Sequence, residues 1–233
     1  MRLRDNVYFY PDAGGLAFPP GFSCNTVLLT GRRHMLIDPG LLKGWPDLKD
    51  RIRADGLQPD DVGLALATHS HPDHVEAAAE VAAELKAQLA MSAKELDFMD
   101  AGRGSPRRLE DSPAEPPASE LFTPVFSGPF RWEGREFRLI DAPGHSPGGL
   151  CLHWPERGLL VVGDAYFAGA IGAVDHPGGR LADLSRTVRI LGGLRDVELV
   201  LCGHGPPVEG RSEVFRNYQV LSAEIAEKAA AGL

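Results

Sequence analysis

The chain has 233 residues and carries 24 Lys plus Arg against 32 Asp plus Glu, a formal net charge of -8; that balance repels phosphate backbones and argues against a nucleic-acid partner. No apolar run has the length of a signal peptide or a bilayer span, so a cytoplasmic protein with no membrane association is expected. Cys24, Cys151 and Cys202 are an odd, widely spaced set with no Cys-x-x-Cys pair, which suggests neither a disulfide framework nor a thiolate zinc site and reads as small apolar core residues.

In chain order, the first strands are Val7–Tyr10, Thr26–Thr30 and, after a Gly31-Arg32-Arg33 turn, His34–Asp38. A helix over Trp45–Asp55 stops at Gly56, and the apolar run Gly63–Thr68 reads as a buried strand. The loop His69-Ser70-His71-Pro72-Asp73-His74 follows, then a helix over Val75–Gln88, a strand at Leu89–Met91, and a helix over Ala93–Asp100 capped by Ser92, with Glu95 placed for a capping box. Residues 102–119, rich in Pro, Gly, Arg and Glu, read as a mobile surface loop. Strand signals resume at Val125–Phe130, Glu136–Asp141, Leu150–Trp154 and Leu159–Val162, with turns at Glu133-Gly134-Arg135 and Glu156-Arg157-Gly158. An amphipathic helix over Leu181–Leu194, a strand at Glu198–Cys202 and a closing helix over Ser212–Ala231 complete the chain. Both halves run strands first and helices later, which suits two sheets packed face to face with helices outside, in one domain over residues 1–233.

The hexapeptide His69–His74 carries the chemistry. It offers four imidazole or carboxylate ligands of the kind zinc and iron accept, in a loop that leaves a strand and enters a helix, with Pro72 stiffening the turn. A chance H-x-H-x-D-H match is expected on the order of once in a thousand such chains, so a solvated polar turn is the weaker reading. His34, His153 and His176 lack such a context and read as strand or loop residues.

Five features in order make the chain resemble the metallo-β-lactamase superfamily: Asp38 in Leu36-Ile37-Asp38-Pro39-Gly40, the hexapeptide, His145 in Ala142-Pro143-Gly144-His145-Ser146, Asp164 in Val162-Gly163-Asp164-Ala165, and His204 in Cys202-Gly203-His204-Gly205. The resemblance spans residues 25–206 and implies an α+β fold, the αββα four-layer sandwich. It implies that His69, His71 and His145 hold one metal, that Asp73, His74 and His204 hold the other, and that Asp164 bridges them. It also implies that Asp38 lies behind the ligands and orients their loop. Two zinc ions are expected, with iron as the alternative. The expected chemistry is hydrolysis of a small-molecule carbonyl substrate by hydroxide held between the metals, with Asp73 both ligating and orienting it.

A bridging Asp at 164 resembles glyoxalase II-like thioesterases and lactonases, whereas members that hydrolyse β-lactams usually carry Cys or Ser there. Only 29 residues follow His204, one helix's worth, which argues against a helical glutathione-binding domain. Tyr166 and Phe167 are candidates for the substrate cleft, and Arg103–Arg108 for a loop over it, with core aromatics and a solvated loop as the competing reading. Two rivals stay open: a persulfide dioxygenase-like enzyme with one iron on His69, His145 and Asp164, and a non-hydrolytic diiron protein that binds oxygen or passes electrons. Gly144-His145-Ser146-Pro147-Gly148 fits a serine nucleophile elbow, but Pro147 has no N–H to offer an oxyanion hole and a strand follows instead of a helix. The sequence does not set the oligomeric state.

Overall fold

The structure, a computed structural model, describes residues 1–12, 23–101 and 119–232. Of the expected loop over residues 102–119, residues 102–118, with Arg103 to Arg108, therefore lie outside the described residues. The chain divides into two compact units, Met1–Val125 and Phe126–Leu233.

The first unit is built on a seven-stranded sheet in sequence order: β1 (Arg2–Arg4), β2 (Val7–Tyr10), β3 (Thr26–Leu29), β4 (His34–Ile37), β5 (Val62–Leu66), β6 (Gln88–Ser92) and β7 (Phe122–Val125). Strands β1 to β4 pair antiparallel and β4 to β7 parallel. Parallel neighbours need crossovers. Helix α1 (Trp45–Ala54) makes the first, α2 (Pro72–Val75) with α3 (Ala78–Leu85) the second, and α4 (Ala93–Asp100) begins the third. Every residue of β3, β4 and β5 is buried, as expected of strands covered on both faces. Trp45, Leu48 and Ile52 of α1 pack with Val81 and Leu85 of α3 and Leu89 of β6 in one core.

The second unit has a six-stranded sheet whose order is β15-β14-β11-β10-β9-β8: β8 (Gly128–Trp132), β9 (Arg135–Asp141), β10 (Leu150–Trp154), β11 (Leu159–Gly163), β14 (Leu199–Cys202) and β15 (Val208–Glu209). Strands β8 to β11 form an antiparallel meander, and β14 joins β11 in parallel. A separate hairpin pairs β12 (Tyr166–Phe167) with β13 (Ala170–Ile171). Helix α5 (Leu181–Gly192) buries Leu181, Leu184, Val188 and Leu191, and α6 (Arg211–Ala230) buries Val214 and Leu221. Each such fully buried side chain is worth about 1.5–3 kcal/mol of transfer free energy. No helix among the described residues is long and apolar enough to cross a membrane.

Most elements fall where the sequence places them, with Leu150–Trp154 matching at both ends. Ser92 caps α4 as expected, its hydroxyl accepting from Glu95 N at 3.1 Å. The helix expected over Val75–Gln88 instead starts at Pro72, breaks, and resumes at Ala78. The break has a backbone cause: Gly40 N donates to His74 O and Gly40 O accepts from Ala77 N, so the Gly40 peptide wedges into the helical ladder. It ends at Lys86, which is left-handed at φ 53. The strand expected over Val125–Phe130 is interrupted between Val125 and Gly128, where Gly128 takes φ 133. The turn at Glu133 and Gly134, φ 50 and 77, is the two-residue type the sequence signals.

Candidate metal centre

Strand β5 delivers the hexapeptide, and the corner after β4 holds it. Asp38 sits in the left-handed region, φ 55, with its N–H donating to Leu66 O at 3.0 Å. From there its buried carboxylate accepts three hydrogen bonds: Thr68 N at 2.7 Å, Thr68 Oγ1 at 2.8 Å and His74 Nδ1 at 2.9 Å. Because Thr68 Oγ1–H points at Asp38, its lone pair is left to accept from His69 Nδ1–H at 3.0 Å. These bonds assign the proton of both rings to Nδ1 and turn each Nε2 lone pair outward as a ligand atom. The rings of His71 and His74 lie 4.6 and 4.2 Å from that of His69, and His74 Nε2 lies 3.6 Å from Asp73 Oδ2. Buried Glu95 fixes the other side of the loop, accepting from Ser70 N at 3.0 Å and Ser70 Oγ at 2.6 Å.

In the second unit His145 occupies the turn between β9 and β10, which is braced on α5. Gly144 O accepts from Arg180 N at 2.7 Å, and at Gly144, φ 135, a Cβ would meet Leu184 N at 2.3 Å. His145 Nδ1 donates to Ala173 O at 2.8 Å, which leaves Nε2 to face Asp164 Oδ2 at 3.6 Å. Asp164 closes β11, and Gly203 N donating to Gly163 O at 2.7 Å ties the end of β14 beside it. His204 Nε2 thereby comes to 3.4 Å from the same Asp164 oxygen. One carboxylate oxygen is thus within reach of the ligand nitrogens of two imidazoles on separate loops.

His176, which reads as a plain loop residue in the sequence, has its Nε2 3.3 Å from His145 Nδ1 and 3.1 Å from Ala173 O. No spacing signal announces that contact, because the 173–176 loop backbone creates it. His34 and His153 are buried strand residues, as expected. Of the two cleft candidates, Tyr166 is fully buried in the core of the second unit with its hydroxyl 2.6 Å from that of Tyr218, so it is a core aromatic. Phe167 is half-buried, its ring edge-on to His204 at 5.7 Å. Burial first, and then mutual contact, pushes the Tyr166 hydroxyl well above the usual tyrosine range. Burial and the nearby Asp164 likewise push the Cys202 thiol up, so Cys202 stays protonated and supplies no thiolate. All three cysteines are buried thiols outside any disulfide, as the sequence leads one to expect. Ser146 Oγ is buried with no hydrogen-bond partner among the described residues, hence no base to activate it, and the serine-nucleophile reading fails.

In the first unit His69, His71, Asp73 and His74 lie together, and in the second His145, Asp164 and His204 do. The donors are five imidazoles and two carboxylates, a nitrogen and oxygen set suited to divalent transition metals. With Nδ1 already engaged in His69, His74 and His145, each of these rings presents Nε2 without reorientation, and a divalent metal is the implied occupant of such donors.

The sequence model of the metallo-beta-lactamase superfamily matches residues 19–204. The chain is 30% identical over 198 residues to a probable metallo-hydrolase, YqgX, of Bacillus subtilis, covering 82% of this chain and 88% of that one. It is 28% identical over 213 residues to the hydroxyacylglutathione hydrolase GloC of Haemophilus influenzae (84% and 92% covered), and 31% identical over 210 residues to the acyl-coenzyme A thioesterase MBLAC2 of Gallus gallus (80% and 74%). Among solved structures, a metallo-beta-lactamase family protein of Thermus thermophilus, TTHA1429, superposes with a TM-score of 0.79 at 22% identity, covering 99% of this chain and 82% of that one. TTHA1623 in a di-iron-bound form gives 0.69 at 29% identity, covering 82% and 92%. The α+β fold expected from the motifs is therefore the fold of this protein, and the chain belongs to the metallo-beta-lactamase superfamily.

Proposed function

We propose that the chain is a binuclear metal-dependent hydrolase of small activated carbonyl compounds, acyl thioesters first and lactones or related esters second. His69, His71 and His145 take one metal, Asp73, His74 and His204 the other, and Asp164 lies between them. The two compact units then work as one domain, a reading supported by the family match, which runs through both. The observation that carries the proposal is Asp164, whose single oxygen stands 3.6 and 3.4 Å from the ligand nitrogens of His145 and His204. A carboxylate so placed would be available to both ligand sets.

A bound metal pair supplies a water that ionises near neutral pH and positive charge for the leaving atom. The chain's own residues do the rest. Asp38 and Thr68 hold His69 and His74, the Ala173 carbonyl holds His145, and Asp73 offers a carboxylate beside His74 to orient the attacking water. A thiolate can leave without a proton donor, and an alkoxide could where positive charge receives it, whereas an amide nitrogen needs a proton. The relatives named for thioester substrates support placing thioesters first.

Zinc is the proposed metal. An iron pair is the second reading, favoured by the relative solved in a di-iron-bound form. The test is elemental analysis of protein purified without added metal, followed by assay of thioesters, lactones, β-lactams and bis-nitrophenyl phosphate with and without chelator. Two metals per chain and chelator-sensitive thioester cleavage are expected. One iron per chain with no second metal, or phosphodiester cleavage well above every carbonyl substrate, refutes the proposal.

A further inference from the structure

The β12–β13 hairpin and the two residues that follow it lie against every proposed ligand of the second unit. It begins two residues after Asp164, and Gly172 behind it donates to Ala165 O at 3.3 Å. A Cβ on Gly172 would fall 1.8 Å from Asp164 O and 3.4 Å from His145 Cβ, so the hairpin's exit is seated directly against both. Ala173 O, the next residue, holds His145 Nδ1, and Phe167 on β12 presents its ring to His204. A two-residue strand pair has almost no ladder of its own to keep it in place.

What keeps it there is α6. Asn217 bridges the hairpin, its side-chain N–H donating to Phe167 O at 3.1 Å and its Oδ1 accepting from Gly169 N at 2.7 Å. Tyr218 meets the Tyr166 hydroxyl at 2.6 Å, and Glu224 accepts from Ile171 N at 2.8 Å. Asn217, Leu221 and Glu224 recur at the i, i+4, i+7 spacing of one helix face, and Leu221 between the two polar contacts is fully buried. The hairpin is therefore grasped on its first strand, at its turn and on its second strand by three side chains of one helix.

The geometry points to Asn217, Tyr218 and Glu224 as positioning residues for the metal centre. Through the hairpin they set where Ala173 O, Asp164 and the Phe167 ring stand, and so the aim of His145 and His204. The inference rests on the ligand assignment proposed above, and its consequence is that α6, far from the hexapeptide in sequence, controls metal affinity as well as stability. Residues that orient metal ligands from behind typically change affinity or turnover by about 10–100-fold when removed.

The experiment compares Asn217→Ala, Glu224→Ala, Glu224→Gln and the core control Leu221→Ala. Metal affinity is read by competition with a chromophoric chelator, the visible spectrum of the cobalt-substituted protein is recorded, and kcat and KM are taken with a thioester. Asn217→Ala and Glu224→Ala are expected to weaken one of the two metals about 10-fold, to alter the cobalt spectrum and to lower kcat with KM nearly unchanged. Glu224→Gln keeps an acceptor for Ile171 N and should restore wild-type values, while Leu221→Ala should lose thermal stability with the cobalt spectrum intact. If Asn217→Ala and Glu224→Ala lose stability but keep wild-type affinity, spectrum and kcat, the helix is only a structural brace and the inference is overturned. Failure of the wild-type protein to bind two metals would instead strike the proposed function, so the two failures are told apart.

Discussion

Replacing Asp38 by Asn isolates one hydrogen bond behind the ligands. Asn tolerates the left-handed φ of 55 at this corner, so the backbone is not disturbed. Its amide oxygen in the place of Oδ1 still accepts from Thr68 N, but an NH2 in the place of Oδ2 faces Thr68 Oγ1–H and His74 Nδ1–H, so two donors that lie 2.8 and 2.9 Å from an acceptor in the native protein meet another donor. Thr68 can rotate its hydroxyl; His74, fully buried, can only move its proton to Nε2 and surrender its ligand lone pair. Leaving a buried donor opposed costs about 1–3 kcal/mol, and at 1.4 kcal/mol per decade that is roughly a 5- to 140-fold loss of affinity. Competition titration against a chelator should show that loss for one metal of the pair, with the metal-free proteins unfolding within a few degrees of each other. An Asp38→Asn protein that binds both metals as tightly as wild type would refute the tautomer argument.

Other substitutions probe separate links. Asp164→Ala should cut thioester turnover more than about 100-fold with little change in Tm, while Ser146→Ala, whose hydroxyl has no partner to lose, should leave both unchanged, as steady-state kinetics and thermal melts will show. Gly144→Ala places a methyl against the α5 backbone and should destabilise by about 3 kcal/mol by denaturant titration. Burial holds the His153 imidazole below its ordinary pKa, with Asp196 opposing. A lowered folded-state pKa means the unfolded chain takes the proton first, so stability should fall as pH drops below about 6.5. His153→Leu should flatten that slope in urea melts of metal-free protein.

How much of this is legible in the sequence differs by kind of residue. The hexapeptide, His145, Asp164 and His204 are readable as the proposed ligands because metal ligands must be particular residue types and their order along the chain carries the signal. The hold on those ligands is less visible. Glu95 reads as a capping-box residue, and Ser92 does cap α4, but the Glu95 carboxylate goes to Ser70 across 25 residues of chain, a choice made by tertiary packing. His145 is oriented by a main-chain carbonyl, for which any residue type at 173 would do, so no side-chain pattern records it. The two-residue strands β12, β13 and β15 are too short for periodicity to show, and the α6 contacts that secure the first two look, in sequence, like an ordinary polar helix face.

The corner Asp38-Pro39-Gly40 shows how tightly backbone form and ligand orientation are joined. The Asp38 carboxylate grips His74 at Nδ1, and two residues on, the Gly40 N–H grips the carbonyl of the same histidine. That second bond takes the acceptor which Ala78 N would need to continue the helix, and Gly40 O accepts from Ala77 N in exchange. The break between α2 and α3 is therefore the other face of fixing His74, since the His74 carbonyl is turned to the Gly40 N–H and not to Ala78 N. A continuous helix over 75–88, as helix composition alone predicts, would free the His74 backbone from Gly40 and leave the residue held to this corner through its ring alone. Gly40 stands at φ 84, where a side chain is strained, so the wedge depends on glycine itself. At this corner the departure from local propensity is where orientation of the ligand is obtained, and the cost in helix hydrogen bonding is offset by the two bonds to Gly40.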